Sequence, residues 1–139
     1  MKILGIGVDI IENSRIKRSI KKKSFITRIF SKSEILYSKQ LKDKTNYYAK
    51  RFAAKEALAK SIGTGFRDNL RFKDISIINN KVGKPSFLIT NKLKIIIKKQ
   101  LKVSSFNFFL SISDENKYSI AYVILQKKNN EQKIYSWKY

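Results

Sequence analysis

The sequence predicts an α+β fold, a single domain in which a mostly antiparallel sheet packs against one long helix. Three observations carry that prediction. A β-branched, strand-like run opens the chain, a Gly- and Pro-free stretch of helix formers fills its middle, and two alternating runs near the C-terminus flank a short turn. The chain has 139 residues, a length typical of one domain, and its 42% hydrophobic share can supply a core.

Ile3 to Ile11 is the first predicted strand, loosened by Gly5 and Gly7. Its period of two puts Ile6, Val8 and Ile10 on one face and Gly7, Asp9 and Ile11 on the other. Asn13 to Ile20 and Phe25 to Phe30 form short helical pieces separated by Lys21-Lys22-Lys23. Ser31 begins the next helix, with Glu34 three residues on as a capping box and Ile35, Leu36 and Leu41 as its apolar side. The long helix runs from about Lys44 to Ile62 and ends at Gly63, placed to cap it in the left-handed region. Gly63-Thr64-Gly65 is a flexible turn. Ile75 to Ile78 and Ser86 to Ile89 are strands joined through a turn-rich connection that holds the only proline, Pro85. Asn91 to Leu101 is an amphipathic helix. Phe106 to Ser113 and Tyr118 to Leu125 pair around Asp114-Glu115-Asn116-Lys117. The fold domain is expected to span 1–126, with 127–139 a basic C-terminal extension anchored by Trp137.

The composition excludes more than it suggests. With no histidine and no cysteine, the chain can build no histidine general base, no Ser-His-Asp or Cys-His nucleophile, no disulfide and no ordinary zinc site. Any metal site must be all-oxygen and drawn from ten carboxylates, which favours hard ions such as Mg²⁺. The formal charge of +21 would attract polyanions. With 25 lysines against six arginines, most of that charge reads as compositional background, a bias towards Lys, Ile and Asn. No cleavable leader and no membrane-length apolar run is visible, so the expectation is a soluble cytoplasmic protein with no membrane partner.

Two features carry chemistry. Asp9 sits midway along an apolar strand, where an unpaired buried carboxylate costs several kcal/mol. It is either an edge-strand acid meeting water or a lysine, or a functional acid. On the long helix, Phe52, Glu56 and Lys60 stand at i, i+4 and i+8, so Glu56 and Lys60 project from one side. Taken alone they are an ordinary Glu→Lys pair worth about 0.3–0.5 kcal/mol. Combined with Asp9, they form two acids and a lysine suited to a Mg²⁺–diphosphate ligand.

Gly5-Ile6-Gly7-Val8-Asp9-Ile10-Ile11-Glu12 resembles the amino-terminal signature of the holo-acyl-carrier-protein synthases, the small 4′-phosphopantetheinyl transferases. Arg51-Phe52-Ala53-Ala54-Lys55-Glu56-Ala57 with Lys60 resembles their second signature, followed by Gly63-Thr64-Gly65. Gly83-Lys84-Pro85 and Leu110-Ser111-Ile112-Ser113 match two weaker stretches in the same order, so the similarity covers roughly residues 1–126. The resemblance implies transfer of 4′-phosphopantetheine from coenzyme A to a serine of apo-acyl carrier protein, by a homotrimer with active sites at subunit interfaces. It implies Mg²⁺ (or Mn²⁺) on Asp9 and Glu56, and catalysis by Glu56 and Lys60. Arg51, Lys60, Gly63, Gly65, Lys84 and Pro85 would bind coenzyme A, and Arg15 would contact the carrier protein; Lys22 and Arg28, in the same basic helical stretch, are expected by their charge to dock that acidic partner with it. Asp114 stands where many relatives carry histidine, either as a proton acceptor or, the reading favoured here, as a hairpin-turn residue. The rival function is a basic nucleic-acid-binding module using Tyr47, Tyr48, Phe106, Phe108 and Phe109 as stacking platforms. Those aromatics also read as core, and no nucleic-acid partner is expected.

Overall fold

The computed structural model describes residues 2–66 and 69–129. Of the expected extension, 127–139, residues 130–139, Trp137 included, lie outside the described residues.

Strand β1 (Lys2–Glu12) leads through α1 (Asn13–Ser19), α2 (Lys23–Ile29) and α3 (Lys32–Ser38) into the long helix α4 (Thr45–Ile62). A 3₁₀ turn (Phe72–Asp74), the strands β2 (Ile77–Asn79) and β3 (Pro85–Phe87), helix α5 (Asn91–Leu101), β4 (Phe106–Asp114) and β5 (Tyr118–Lys127) complete it. The main sheet has the order β1-β5-β4 and is antiparallel throughout, while β2 and β3 form a separate two-stranded hairpin. The long helix lies across the sheet, as the sequence predicts.

The contact between α4 and β1 depends on two missing side chains. An added Cβ at Gly5 would lie 1.8 Å from the Ser61 carbonyl oxygen, and one at Gly7 would lie 1.8 Å from that of Ala57. Helix backbone therefore sits directly on strand backbone. On the same sheet face, Ala121, Val123 and Leu125 of β5 are buried against α4 residues such as Ala53, Ala57 and Leu58. The opposite face is apolar and uncovered: Ile6, Val8 and Ile10 are 58%, 48% and 61% exposed. Ile124, Tyr122 and Ile120 of β5 stand opposite them in register, and Phe109 on β4 pairs with Ile124.

Local signals set several boundaries. Ser31 and Glu34 form the expected capping box, and Gly63 caps α4 at φ +89°. Other expectations are corrected. Leu36 is 65% exposed and so does not belong to the apolar side of α3. The strands expected at Ile75–Ile78 and Ser86–Ile89 are three residues each, because only Ile77 to Asn79 and Pro85 to Phe87 pair. The aromatics follow the favoured expectation: Tyr47, Tyr48 and Phe106 are buried and Phe87, Phe106 and Phe108 pack edge to face, so these rings are core, while Phe109 is 51% exposed. Among the described residues, no helix is long and apolar enough to cross a membrane.

Candidate active site

The close approach of α4 to β1 brings Asp9 and Glu56 into one neighbourhood. Asp9 follows Gly7 on the helix-facing side of an edge strand, and Glu56 precedes Ala57, the residue whose carbonyl sits over Gly7. Lys60 does not pair with Glu56 one turn back. Its Nζ instead crosses to β1, donating to Asp9 Oδ1 at 3.0 Å and to the Val8 carbonyl at 2.9 Å. The edge-strand aspartate with a lysine partner is thus what the chain forms, and the expected i,i+4 pair is not.

Glu56 is left with no hydrogen bond or ion pair among the described residues, although it is only partly exposed. Burial pushes its carboxyl above the ordinary range, and the negative charge of Asp9 adds to the rise against the opposing pull of Lys60. Burial likewise raises Asp9, outweighing the hydrogen bond and charge of Lys60 and the charge of Arg15. Arg15, exposed on α1, is therefore within electrostatic reach of Asp9, with Lys22 and Arg28 also exposed on the following segment. Gly63 and Gly65, both at positive φ, continue from the end of α4 beyond Lys60.

A second cluster forms elsewhere on α4. Arg51 lies nine residues before Lys60, about 13 Å along a helix rising 1.5 Å per residue. It lines a cavity of about 140 Å³ with Lys50, Ile77, Asn79, Gly83, Pro85, Ile112 and Asp114. Its guanidinium lies 3.7 Å from the centre of the Tyr47 ring, Nη1 donates to the Tyr47 carbonyl, and Nη2 donates to Asn79 Oδ1 at 3.0 Å. Its buried Nε finds no hydrogen-bond partner among the described residues. Burial pushes the Tyr47 hydroxyl up to about 12, against the pull of the Arg51 cation.

Asp114 is the last residue of β4, and its carboxylate accepts from Asn46 Nδ2 at 2.9 Å and lies 3.8 Å from Lys50 Nζ. The turn role expected of it falls to Glu115, whose side chain accepts from the backbone N–H groups of Lys117 and Tyr118. Lys84 is exposed on the β2–β3 connection, where its N–H donates to Asn80 Oδ1. The predicted residues thus divide into two clusters: Asp9, Glu56 and Lys60 with Arg15 nearby, and Arg51 with Pro85, Lys84 standing outside the lining of the Arg51 cavity.

Residues 5–123 match the 4′-phosphopantetheinyl transferase superfamily. A holo-[acyl-carrier-protein] synthase of Pelagibacter ubique is 68% identical over 128 residues, covering 92% of this chain and all of that protein. The chain belongs to the holo-[acyl-carrier-protein] synthases. The Neisseria meningitidis synthase superposes with a TM-score of 0.81 at 39% identity, covering 91% of this chain and all of that one. A Bacillus anthracis synthase, solved in complex with CoA (3′,5′-ADP), matches with a TM-score of 0.76 at 34% identity over 91% of this chain and 98% of its own. Both signatures of this synthase chain contribute to the acid cluster, Asp9 from the first and Glu56 with Lys60 from the second.

Sequence reasoning missed Asn46, Tyr47 and Asn79 as partners of the second cluster. It also gave no role to Lys55, although the residue stands inside the quoted signature. Nothing in the spacing of these residues says which of them meet; only the packing of α4 against β4 and the β2–β3 hairpin does.

Proposed function

We propose that this chain transfers 4′-phosphopantetheine from coenzyme A to a serine of apo-acyl carrier protein through two half-sites joined across a subunit interface. One observation carries the metal half: the Glu56 carboxylate stands partly buried and unpartnered beside Asp9, raised first by burial and then by the Asp9 charge. Two acids with only oxygen donors suit Mg²⁺ whose remaining positions are filled by water and substrate phosphate oxygens, with Mn²⁺ the other hard-ion candidate. When bound, the ion neutralises charge on the diphosphate.

The chain's own residues do the rest. The carrier serine oxygen attacks the β-phosphorus of coenzyme A, the P–O bond to the adenylate side breaks, and adenosine 3′,5′-bisphosphate leaves. Lys60, held at Asp9, supplies a cation where negative charge grows, a contact of the kind worth about 3–4 kcal/mol in the transition state. Gly63 and Gly65 offer backbone to the substrate without side-chain bulk. With no histidine in the chain, the serine proton passes to a carboxylate oxygen or to water. Arg15, within electrostatic reach of Asp9, would meet the acidic carrier protein together with the exposed Lys22 and Arg28 of the following segment.

The second half-site binds the nucleotide end. Arg51, with a buried N–H left over, and the exposed Lys84 ammonium would present donors to an anion beside Pro85. Because Arg51 and Lys60 lie about 13 Å apart on one rigid helix, pairing each with its counterpart on a neighbouring copy gives a complete site. The uncovered apolar face of Ile6, Val8, Ile10, Ile120, Tyr122 and Phe109 supports such association, since patches of this kind mark interaction surfaces. A homotrimer accommodates three such sites.

The test is to incubate the protein with apo-acyl carrier protein, coenzyme A and Mg²⁺ and to weigh the carrier by mass spectrometry. Gain of one phosphopantetheine that disappears with chelator is expected. An unmodified carrier over a full Mg²⁺ and Mn²⁺ titration would refute the reading.

A further inference from the structure

Lys55 is fully buried, and so is Glu34, its partner at 2.6 Å. Each polar atom of the pair is committed. Lys55 Nζ also donates to the carbonyls of Ile29 at 2.9 Å and Phe72 at 3.1 Å. Glu34 Oε1 accepts from the Ser31 N–H at 2.9 Å, and Oε2 accepts from the Ile77 N–H at 3.1 Å. One ion pair therefore ties α4 to the end of α2, the start of α3, the 3₁₀ turn and the first residue of β2.

Stability alone is a poor reason for such a pair, because desolvating two charges offsets most of their attraction, and apolar replacements are often neutral or better. What a buried pair with directed bonds does supply is a fixed register between elements. The element it fixes here is the β2–β3 hairpin, which carries Asn79, the partner of Arg51, and continues to Gly83, Lys84 and Pro85. Asp9 and Lys60 are held to each other directly and need none of these bonds.

We propose that the Lys55–Glu34 pair is a positioning device that sets the β2–β3 hairpin against Arg51 on α4, and so governs affinity for coenzyme A rather than the transfer step. The inference rests on the functional reading above. Neither residue touches substrate; both act through the hairpin. Lys55 stands beside Glu56 in sequence, yet its side chain points away from Asp9, into the layer of α2, α3 and the 3₁₀ turn.

The decisive variant is the double substitution K55M/E34Q. K55M alone leaves a buried uncompensated carboxylate and should lower the melting temperature sharply; adding E34Q removes that charge and should recover most of the loss. Recovery of stability should not recover function. The KM for coenzyme A should stay raised by about tenfold or more, the scale on which a displaced contact is felt, and calorimetric binding of coenzyme A should weaken in parallel. At saturating coenzyme A, kcat and the KM for carrier protein should match wild type. If the variants carrying K55M do not fold, E34Q alone carries the test. Its amide keeps the volume but can accept at only one position, so amides of residues 77–87 should exchange faster while those of α4 do not, with the same selective loss of coenzyme A affinity. Wild-type affinity in a folded E34Q or double variant, or a fall in kcat as large as the rise in KM, overturns the proposal. A wild-type protein that neither binds coenzyme A nor modifies the carrier overturns the functional reading itself, and this inference with it.

Discussion

Replacing Gly7 by alanine should, with the same change at Gly5, be among the most damaging single-methyl changes in this protein. The new Cβ would lie 1.8 Å from the Ala57 carbonyl oxygen, 2.8 Å from its carbon and 2.9 Å from the Ser61 nitrogen. All three obstacles are helix backbone, so no side-chain rotation relieves them. Ordinary contact begins near 3.4 Å, so α4 must retreat by about 1.6 Å (3.4 − 1.8) or the strand must buckle. Overpacking of this kind costs about 1–3 kcal/mol and occasionally more, and the upper end applies where only backbone can yield. At about 3–5 °C per kcal/mol for a domain of this size, the melting temperature should fall by roughly 10 °C or more. The retreat also pulls Lys60 from the Val8 carbonyl and Asp9, and moves Glu56 away from β1, so transfer should be lost even well below the melting transition. Circular dichroism melts and the carrier-modification assay read the two effects separately. Ala57→Gly in the same background should not rescue, since the obstacle is a carbonyl. A G7A protein within about 1 kcal/mol of wild type and with undiminished transfer would refute the close approach as the basis of the site.

Glu56→Gln should abolish transfer and raise the melting temperature at neutral pH. The sign follows from the raised carboxyl: the folded state holds its proton to higher pH than the unfolded chain, so stability falls as pH climbs from the ordinary carboxylate value through the raised one, and the neutral amide escapes that loss. On the proposed metal role, added Mg²⁺ should raise the melting temperature of wild type but not of this variant, since that role needs both acids; equal shifts in both would remove Glu56 from the metal site. On the exposed sheet face, Val8→Asp should convert the proposed trimer to monomers in light scattering and abolish transfer while leaving circular dichroism unchanged; an active monomer would end the shared-site proposal. Arg15→Ala should raise the KM for carrier protein several-fold, an effect that shrinks with added salt as screening sets in over about 8 Å. The charge-matched Lys99→Ala on α5 is the control, and an equal effect from it would make the docking surface non-specific.

Much of this protein is legible in its sequence, because the signals are local. The capping box of Ser31 and Glu34, the glycine stop of α4, the alternation along β1 and the absence of histidine and cysteine each depend on near neighbours or on composition. Both signatures are short and contiguous, so Asp9, Glu56 and Lys60 stand out before any contact is known. The contacts themselves are not legible. Spacing on a helix pairs Lys60 with Glu56, yet the strand brought alongside by two glycines offers Asp9 and a free carbonyl, and the lysine goes there. Glu34 reads as a helix cap and Lys55 as one more lysine among 25, while the fold makes them a single buried pair. Asp114 reads as a turn, but the register of β4 with β5 aims it at Asn46 and Lys50. In each case the deciding partner lies tens of residues away, and which distant groups meet is set by how helix and sheet pack, a choice that no local pattern encodes.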